Sequence, residues 1–151
     1  MPLRPGRTIR QLERPYTRQS KRVPKKSYVV GVPFPKLHQF EMGNRTGNYD
    51  LNIFAVAVKS VQIRDNALEA ARIVANKFLD TKAGTTNYFM KILKYPHHVL
   101  REKPIATGAG ADRYSQGMAH SFGKPAGTAV QINSGERLIQ MKVSKPNLEN
   151  A

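Results

Sequence analysis

Arg4, Arg7, Arg10, Arg14, Arg18, Lys21, Arg22, Lys25 and Lys26 put a cation at nearly every third or fourth position of the first 27 residues, against the single carboxylate of Glu13. Such a row can neutralise a polyanion. Each Lys or Arg that meets a phosphate releases a condensed counterion, so affinity falls steeply as salt rises. Six of the ten prolines (Pro2, Pro5, Pro15, Pro24, Pro33 and Pro35) lie in the same stretch or just beyond it. Proline fixes φ and lacks a backbone donor, so neither a long helix nor a central strand fits here. Residues 1–27 therefore read as an extended basic arm, loosely held alone and ordered by phosphate. Leu3, Ile9, Leu12 and Tyr16 are the residues that could anchor it to a domain.

The other groups capable of chemistry are few. There is no cysteine, hence no thiolate nucleophile, disulfide or Cys metal site. His97 and His98 are neighbours and point to opposite faces of a strand, which prevents joint ligation of a metal. Gly108-Ala109-Gly110 resembles the start of a dinucleotide-binding turn, but Arg113 stands where the third glycine belongs, and no phosphate loop of the GxxxxGK[ST] type occurs. His120 with Asp112 is an acid–base pair only in the sense that almost any His and Asp are. The reading is a binding protein with no catalytic role, no cofactor and no metal.

The elements that position these groups follow from pattern. The 151 residues suffice for one domain, and the net charge of +15 is concentrated in the arm: residues 1–36 hold ten Lys/Arg and one acid. No apolar run approaches the length of a membrane span, so no membrane partner is expected. Strands are expected at Tyr28–Val30, Leu37–Met42, Tyr49–Lys59, Tyr88–Tyr95, His97–Glu102, Thr128–Ile132 and Arg137–Val143, the last two joined by a turn at Asn133-Ser134-Gly135. One helix is expected over Asn66–Leu79. Its apolar stripe is Leu68, Ala71, Ala75, Phe78 and Leu79, its start is a capping box of Asn66 and Glu69 with Asp65 as the other candidate cap, and its stop is near Gly84. Arg72, Asn76 and Lys77 fall off the stripe, open to solvent or phosphate. Several antiparallel strands and one helix packed on a sheet face make an α+β sandwich over residues 28–151.

One connection is out of proportion. Residues 103–127 contain five of the eleven glycines and no strand pattern, far beyond the ~4–6 residues usual between strands. Small residues let backbone pass close to another surface, and Lys103, Arg113, His120 and Lys124 add charge and donors. The segment reads as a flexible finger reaching into a crowded, negatively charged place.

Three stretches in this order resemble a known family: the opening Met-Pro-Leu-Arg-Pro-Gly-Arg, the helix Ala67-Leu68-Glu69-Ala70-Ala71-Arg72-Ile73-Val74-Ala75-Asn76-Lys77, and the loop Gly108-Ala109-Gly110-Ala111-Asp112-Arg113 with Gln116-Gly117-Met118 and Phe122-Gly123-Lys124-Pro125. Together they resemble the universal large-subunit ribosomal protein family L-sixteen, called L-ten-e in archaea and eukaryotes, with the archaeal form the better likeness. The resemblance runs to about Val143. It implies a structural protein of the large ribosomal subunit, cytoplasmic and ribosome-associated, with large-subunit rRNA and neighbouring ribosomal proteins as partners.

By the same resemblance, the arm from Arg4 to Lys26 threads among rRNA helices, and the loop at about Ile105–Gln116 points toward the peptidyl-transferase centre and the aminoacyl-tRNA accommodation path. Arg101 matches a basic position at the base of that loop. The family continues with a second helix and a final strand. Asn147 to Ala151 resemble the opening of that helix, so the sequence is either a piece of a longer chain or a shortened member. The rival readings are a basic DNA-binding or chromatin-type protein, a free RNA-binding protein, and an RNA-modifying enzyme. Asp65, Asn66 and Glu69 at the helix start disfavour the DNA-binding rival, because they stand where a recognition helix carries Arg or Lys and so disfavour the approach of phosphate.

Overall fold

The structure, a computed structural model, describes residues 3–150, apart from the side chains of residues 112, 149 and 150. Two antiparallel sheets and one long helix form an α+β fold. The first sheet has the order β1-β4-β7-β2, from β1 (Glu41–Gly43), β2 (Leu51–Val56), β4 (Tyr88–Ile92) and β7 (Arg137–Val143). The second has the order β3-β6-β5, from β3 (Val61–Arg64), β5 (His98–Glu102) and β6 (Lys124–Ile132). The helix α1 (Asp65–Lys82) follows β3 without a loop, and a single turn, α2 (Ala111–Tyr114), sits within the long connection.

Alternation along the strands fixes which face is core. On the inner face of the first sheet Tyr88, Met90 and Val143 are buried with Leu79 of α1, and Leu51, Ile53, Ile139 and Met141 pack around them. The other half of α1 serves the second sheet, where Leu68 joins Val130 and Ile132, with Leu37 and Ile92 closing the cluster. One helix thus seals both sheets, rather than covering a single face.

Several expected boundaries shift. Tyr28–Val30 is a series of bends rather than a strand, since its ladder is reduced to one bond, from the Tyr28 N–H to the Arg18 carbonyl (3.0 Å). Of Leu37–Met42 only the end enters a strand: pairing begins where the Phe40 carbonyl accepts from Ile92 N–H, while Leu37 drops into the core. Regular pairing ends at Val56 and at Ile92, short of Lys59 and Tyr95, and β6 begins four residues early, at Lys124 opposite Glu102.

Helix α1 runs three residues past Leu79, and its buried face is rotated from the expected stripe. Leu68, Ala75 and Leu79 face the core, but Ala71 and Phe78 are exposed, and Arg72 and Asn76 turn inward. No capping box forms. Asp65, buried itself, accepts from Lys36 N–H and the Thr128 hydroxyl (both 3.0 Å) and from Asn66 N–H, tying helix, second sheet and preceding segment together. Glu69 turns instead to Arg72, whose hydrogen bonds hold the carboxyl below its usual pKa. The chain end over Lys145–Asn150 is a 3-10 segment beside α1; Ala151, part of the stretch resembling a second helix, lies outside the described residues.

Candidate nucleic-acid interface

The arm carries two 3-10 turns, Gly6–Thr8 and Pro24–Lys26, and is otherwise irregular, as its prolines dictate. It lies along the outer face of the second sheet, held by side chains that the sheet projects outward. Gln62 is the main hook. Its backbone N–H donates to the Arg10 carbonyl (2.9 Å), and its side-chain amide donates to the carbonyls of Ile9 and Gln11. The amide of Gln131, one strand over, donates to the Glu13 carbonyl (2.7 Å), and Arg64 donates to the Arg4 carbonyl (2.7 Å). These bonds satisfy the arm's backbone and leave its cations outside: Arg7, Arg10, Arg14, Arg18, Lys21, Arg22, Lys25 and Lys26 are all exposed. Arg4 differs in reaching Glu102, at 3.6 Å.

Tyr16 is where the arm meets the base of the long loop. Its backbone N–H donates to Nδ1 of the buried His98 (3.2 Å), and its ring meets Phe122 edge-on at 5.6 Å. The Arg101 guanidinium lies 4.3 Å from the centroid of Tyr16 and 3.9 Å from that of Phe122, and donates to the Phe122 carbonyl at 2.8 Å. Acceptance by Nδ1 requires the imidazole to be neutral there. Burial holds the His98 pKa below its ordinary 6.5; Glu13 opposes this, and His97 and Arg101 reinforce it. Tyr28 extends the cluster, edge-on to Tyr16, with Arg18 5.9 Å from its ring centre.

Beyond Arg101 the chain enters the loop and returns through Gly123. There φ is +76°, and a Cβ would stand 2.8 Å from the Glu102 carbonyl, so only glycine lets the returning chain cross β5 so closely. Lys103, His120 and Lys124 line one recess of about 680 Å³ with Tyr114, Ser115 and Gln116. The Lys103 ammonium is buried without a hydrogen-bond partner among the described residues. His120 holds a left-handed backbone at φ 56°. Arg113 is exposed on α2, and the side chain of Asp112, the other half of an acid–base pairing with His120, lies outside the described set.

The structure therefore gathers Arg101, Lys103, His120 and Lys124 at the loop base and ties them to the arm, while leaving Lys77 exposed on α1. Arg72 is the exception. Its side chain is only 13% exposed, paired with Glu69 and reaching Gln39 Oε1 at 3.2 Å, so it buttresses the helix surface. Arg137 and Lys142 are two further cations, outside the arm and loop, that the sequence pattern does not single out. Arg137 lies 4.2 Å from the ring centre of Phe54, and Lys142 Nζ 5.8 Å from that of Phe89. The polar positions Gln140 and Lys142, alternating with Ile139 and Met141, were the available signal.

Among the described residues no group of three or more His, Asp or Glu is arranged to hold a metal, and no helix is long and apolar enough to cross a membrane. Residues 13–151 match the family model for ribosomal protein L16p/L10e. The chain is 47% identical over 152 aligned residues to the large ribosomal subunit protein uL16 of Staphylothermus marinus, 44% over 151 to that of Archaeoglobus fulgidus and 49% over 154 to that of Saccharolobus solfataricus. Each alignment covers the whole of this chain and 83% of the relative.

Proposed function

The chain belongs to the L16p/L10e family of ribosomal proteins, structural components of the large ribosomal subunit, and we propose that it binds rRNA through the arm and the loop base, beside the peptidyl-transferase centre and the path of incoming tRNA. Membership carries rRNA and other ribosomal proteins as its partners and a structural, non-catalytic role in translation.

The observation that carries the finer reading is the Arg101 clamp. Arm and loop are far apart in sequence, yet Tyr16, Phe122 and Arg101 join them at one point. Phosphates bound along the arm then fix the direction in which the loop leaves the domain. The loop's small residues fit a tip that works in a narrow space, and its exposed Arg113 supplies charge there.

The test is reconstitution of large subunits with two variants. Replacing Arg14, Arg18 and Arg22 together by Gln prevents stable incorporation. Trimming Gly108–Ser115 permits incorporation and slows tRNA accommodation. Normal peptide synthesis by subunits carrying the trimmed loop overturns the role given to the loop, and undiminished incorporation of the arm variant overturns the role given to the arm.

A further inference from the structure

Apart from those that meet only backbone or no partner, such as Arg64 and Lys103, the cations whose surroundings are described are held in two ways. Arg4, Arg45, Arg72, Lys91 and Lys94 are held by carboxylates, each within 4 Å of an Asp or Glu oxygen. Arg18, Arg101, Arg137 and Lys142 are held by aromatic rings, and no such oxygen lies within that distance of them among the described residues. The difference matters for binding. A carboxylate orders a cation but cancels its charge. A ring orders it, leaves the charge whole, and leaves the N–H donors at the guanidinium edge pointing outward.

Arg18 and Arg101 belong to the interface already described. Arg137 and Lys142 do not: they lie on the outer face of the first sheet, opposite the face that packs on α1. The neighbouring strands β2 and β7 are without an acidic residue, and the carboxylate on the far edge of this face, Glu41 of β1, is taken up by Lys91 at 2.6 Å. Asn52 and Gln140 lie between the two cations, hydrogen-bonded to each other at 2.9 Å. We infer that this face is a second rRNA-binding surface of the protein, contacting a length of RNA backbone through Arg137 and Lys142. This rests on the rRNA-binding reading above and adds a second, separate surface to it.

Geometry favours a polymer over a single anion. Lys142 lies opposite Asn52 and Arg137 opposite Val56, a bulge at Leu138 taking up one residue of β7. The two cations therefore share a face four rises apart, about 13 Å at the rise of an extended strand, with each head held over its own ring. One phosphate cannot bridge that span, whereas successive phosphates of an RNA strand can. An acidic protein surface is the competing occupant. It would find charge complementarity here, but the apolar centre typical of protein interfaces is small: Phe89 is covered, Phe54 lies under Arg137, and the half-exposed Val56 stands at the end of β2, beside Arg137.

The test uses the full chain and a large-subunit rRNA transcript, with affinity measured against salt. Changing Arg137→Gln and Lys142→Gln together lowers the log–log salt slope by about 1.4–1.8, at roughly 0.7–0.9 for each phosphate that is no longer neutralised. The arm triple Gln variant is run in parallel. A normal slope for the face variant with a reduced slope for the arm variant overturns this inference alone; normal slopes for both overturn the rRNA-binding reading and this inference with it.

A second measurement does not depend on the face variant folding. The chain has no cysteine, so Gln140→Cys offers a unique site for a tethered hydroxyl-radical probe. In assembled subunits, cleavage of rRNA around that probe supports the inference. Cleavage only from a control probe at Arg22→Cys, together with crosslinking from position 140 to a neighbouring protein, assigns the face to a protein and overturns it.

Discussion

The two sheets treat their outer faces in opposite ways. The second sheet carries Gln62, Gln131 and His98 outward, and the arm lies over them; the first carries Phe54 and Phe89, and there the cations Arg137 and Lys142 lie over the rings. The side-chain chemistry explains the difference. An irregular, proline-rich segment brings unpaired carbonyls and N–H groups with it, and a face that receives it needs short, neutral donors and acceptors. A charged residue under the segment would be desolvated; Arg64, the charged side chain that does hold the arm, keeps its exposed place and donates to the Arg4 carbonyl. A face left open to an anion needs charge that is positioned but not neutralised.

Four changes would break or sharpen that contrast. The largest effect is expected where the sheets share their foundation. Met90 is fully buried between the first sheet and α1, and Met90→Ala should cost about 2–5 kcal/mol through lost transfer energy and the cavity left behind. Because α1 seals both sheets, chemical denaturation should show a single transition that shifts as a whole. Two separated transitions would mean the sheets are independent units.

Tyr16→Ala comes next and bears on the second sheet alone. It removes two edge-on ring pairings, with Phe122 and Tyr28, and one cation–π pairing, together about 2–3 kcal/mol, while leaving the core intact. Hydrogen exchange should quicken at the amide of residue 16, which donates to His98, and at the Gln62 amide, which donates to the Arg10 carbonyl, with the amides of the first sheet unchanged. Tyr16→Phe keeps the ring and should keep the protection. Equal loss in the Phe variant would shift the anchoring role from ring to hydroxyl.

The pH dependence of the arm's attachment is a smaller effect with a definite sign. His98 accepts the Tyr16 N–H, and burial lowers its pKa in the folded protein. The unfolded or undocked state therefore takes up the proton first. Docking is at full strength above the ordinary pKa of 6.5 and weakens as pH falls below it toward the depressed folded value. Arm protection measured between about pH 7.5 and 5 should decline, and His98→Gln should flatten the profile. A profile flat in the unsubstituted protein would show that the Nδ1 bond contributes nothing to docking.

How far these features could be read in the sequence depends on whether they arise from local pattern or from long-range pairing. The α+β class and the extent of β7 follow largely from two-residue alternation, and the turn at Asn133-Ser134-Gly135 from its turn-forming residues, Gly135 taking φ 83°; both signals are local. The helix was legible as an element, but its buried face was not, because Arg72 and Asn76 found partners in Glu69 and Tyr88 that made their inward orientation tolerable. Burial, with the Asp80 carboxylate beside it, raises the Tyr88 pKa, so its hydroxyl stays protonated as a donor to the helix. The cationic arm was plain from spacing. Its docking was not, since Gln62, Gln131 and His98 reach it over more than fifty residues of sequence and carry no mark of that role.

Arg137→Gln is the smallest change, and its value lies in the contrast with Tyr16→Ala. In the free protein the guanidinium rests on Phe54 at an exposed site, where a cation–π interaction is worth about 0.5–1 kcal/mol. Thermal melting should therefore shift by only a few degrees, and exchange at the first sheet should stay as it was. Tyr16 and Arg137 both touch aromatic rings, yet the first holds a segment of the chain in place and the second holds only its own charge. If Arg137→Gln instead destabilised the free protein as much as Tyr16→Ala does, the residue would be a structural brace, and the first sheet's outer face would have no claim to be an open cationic surface.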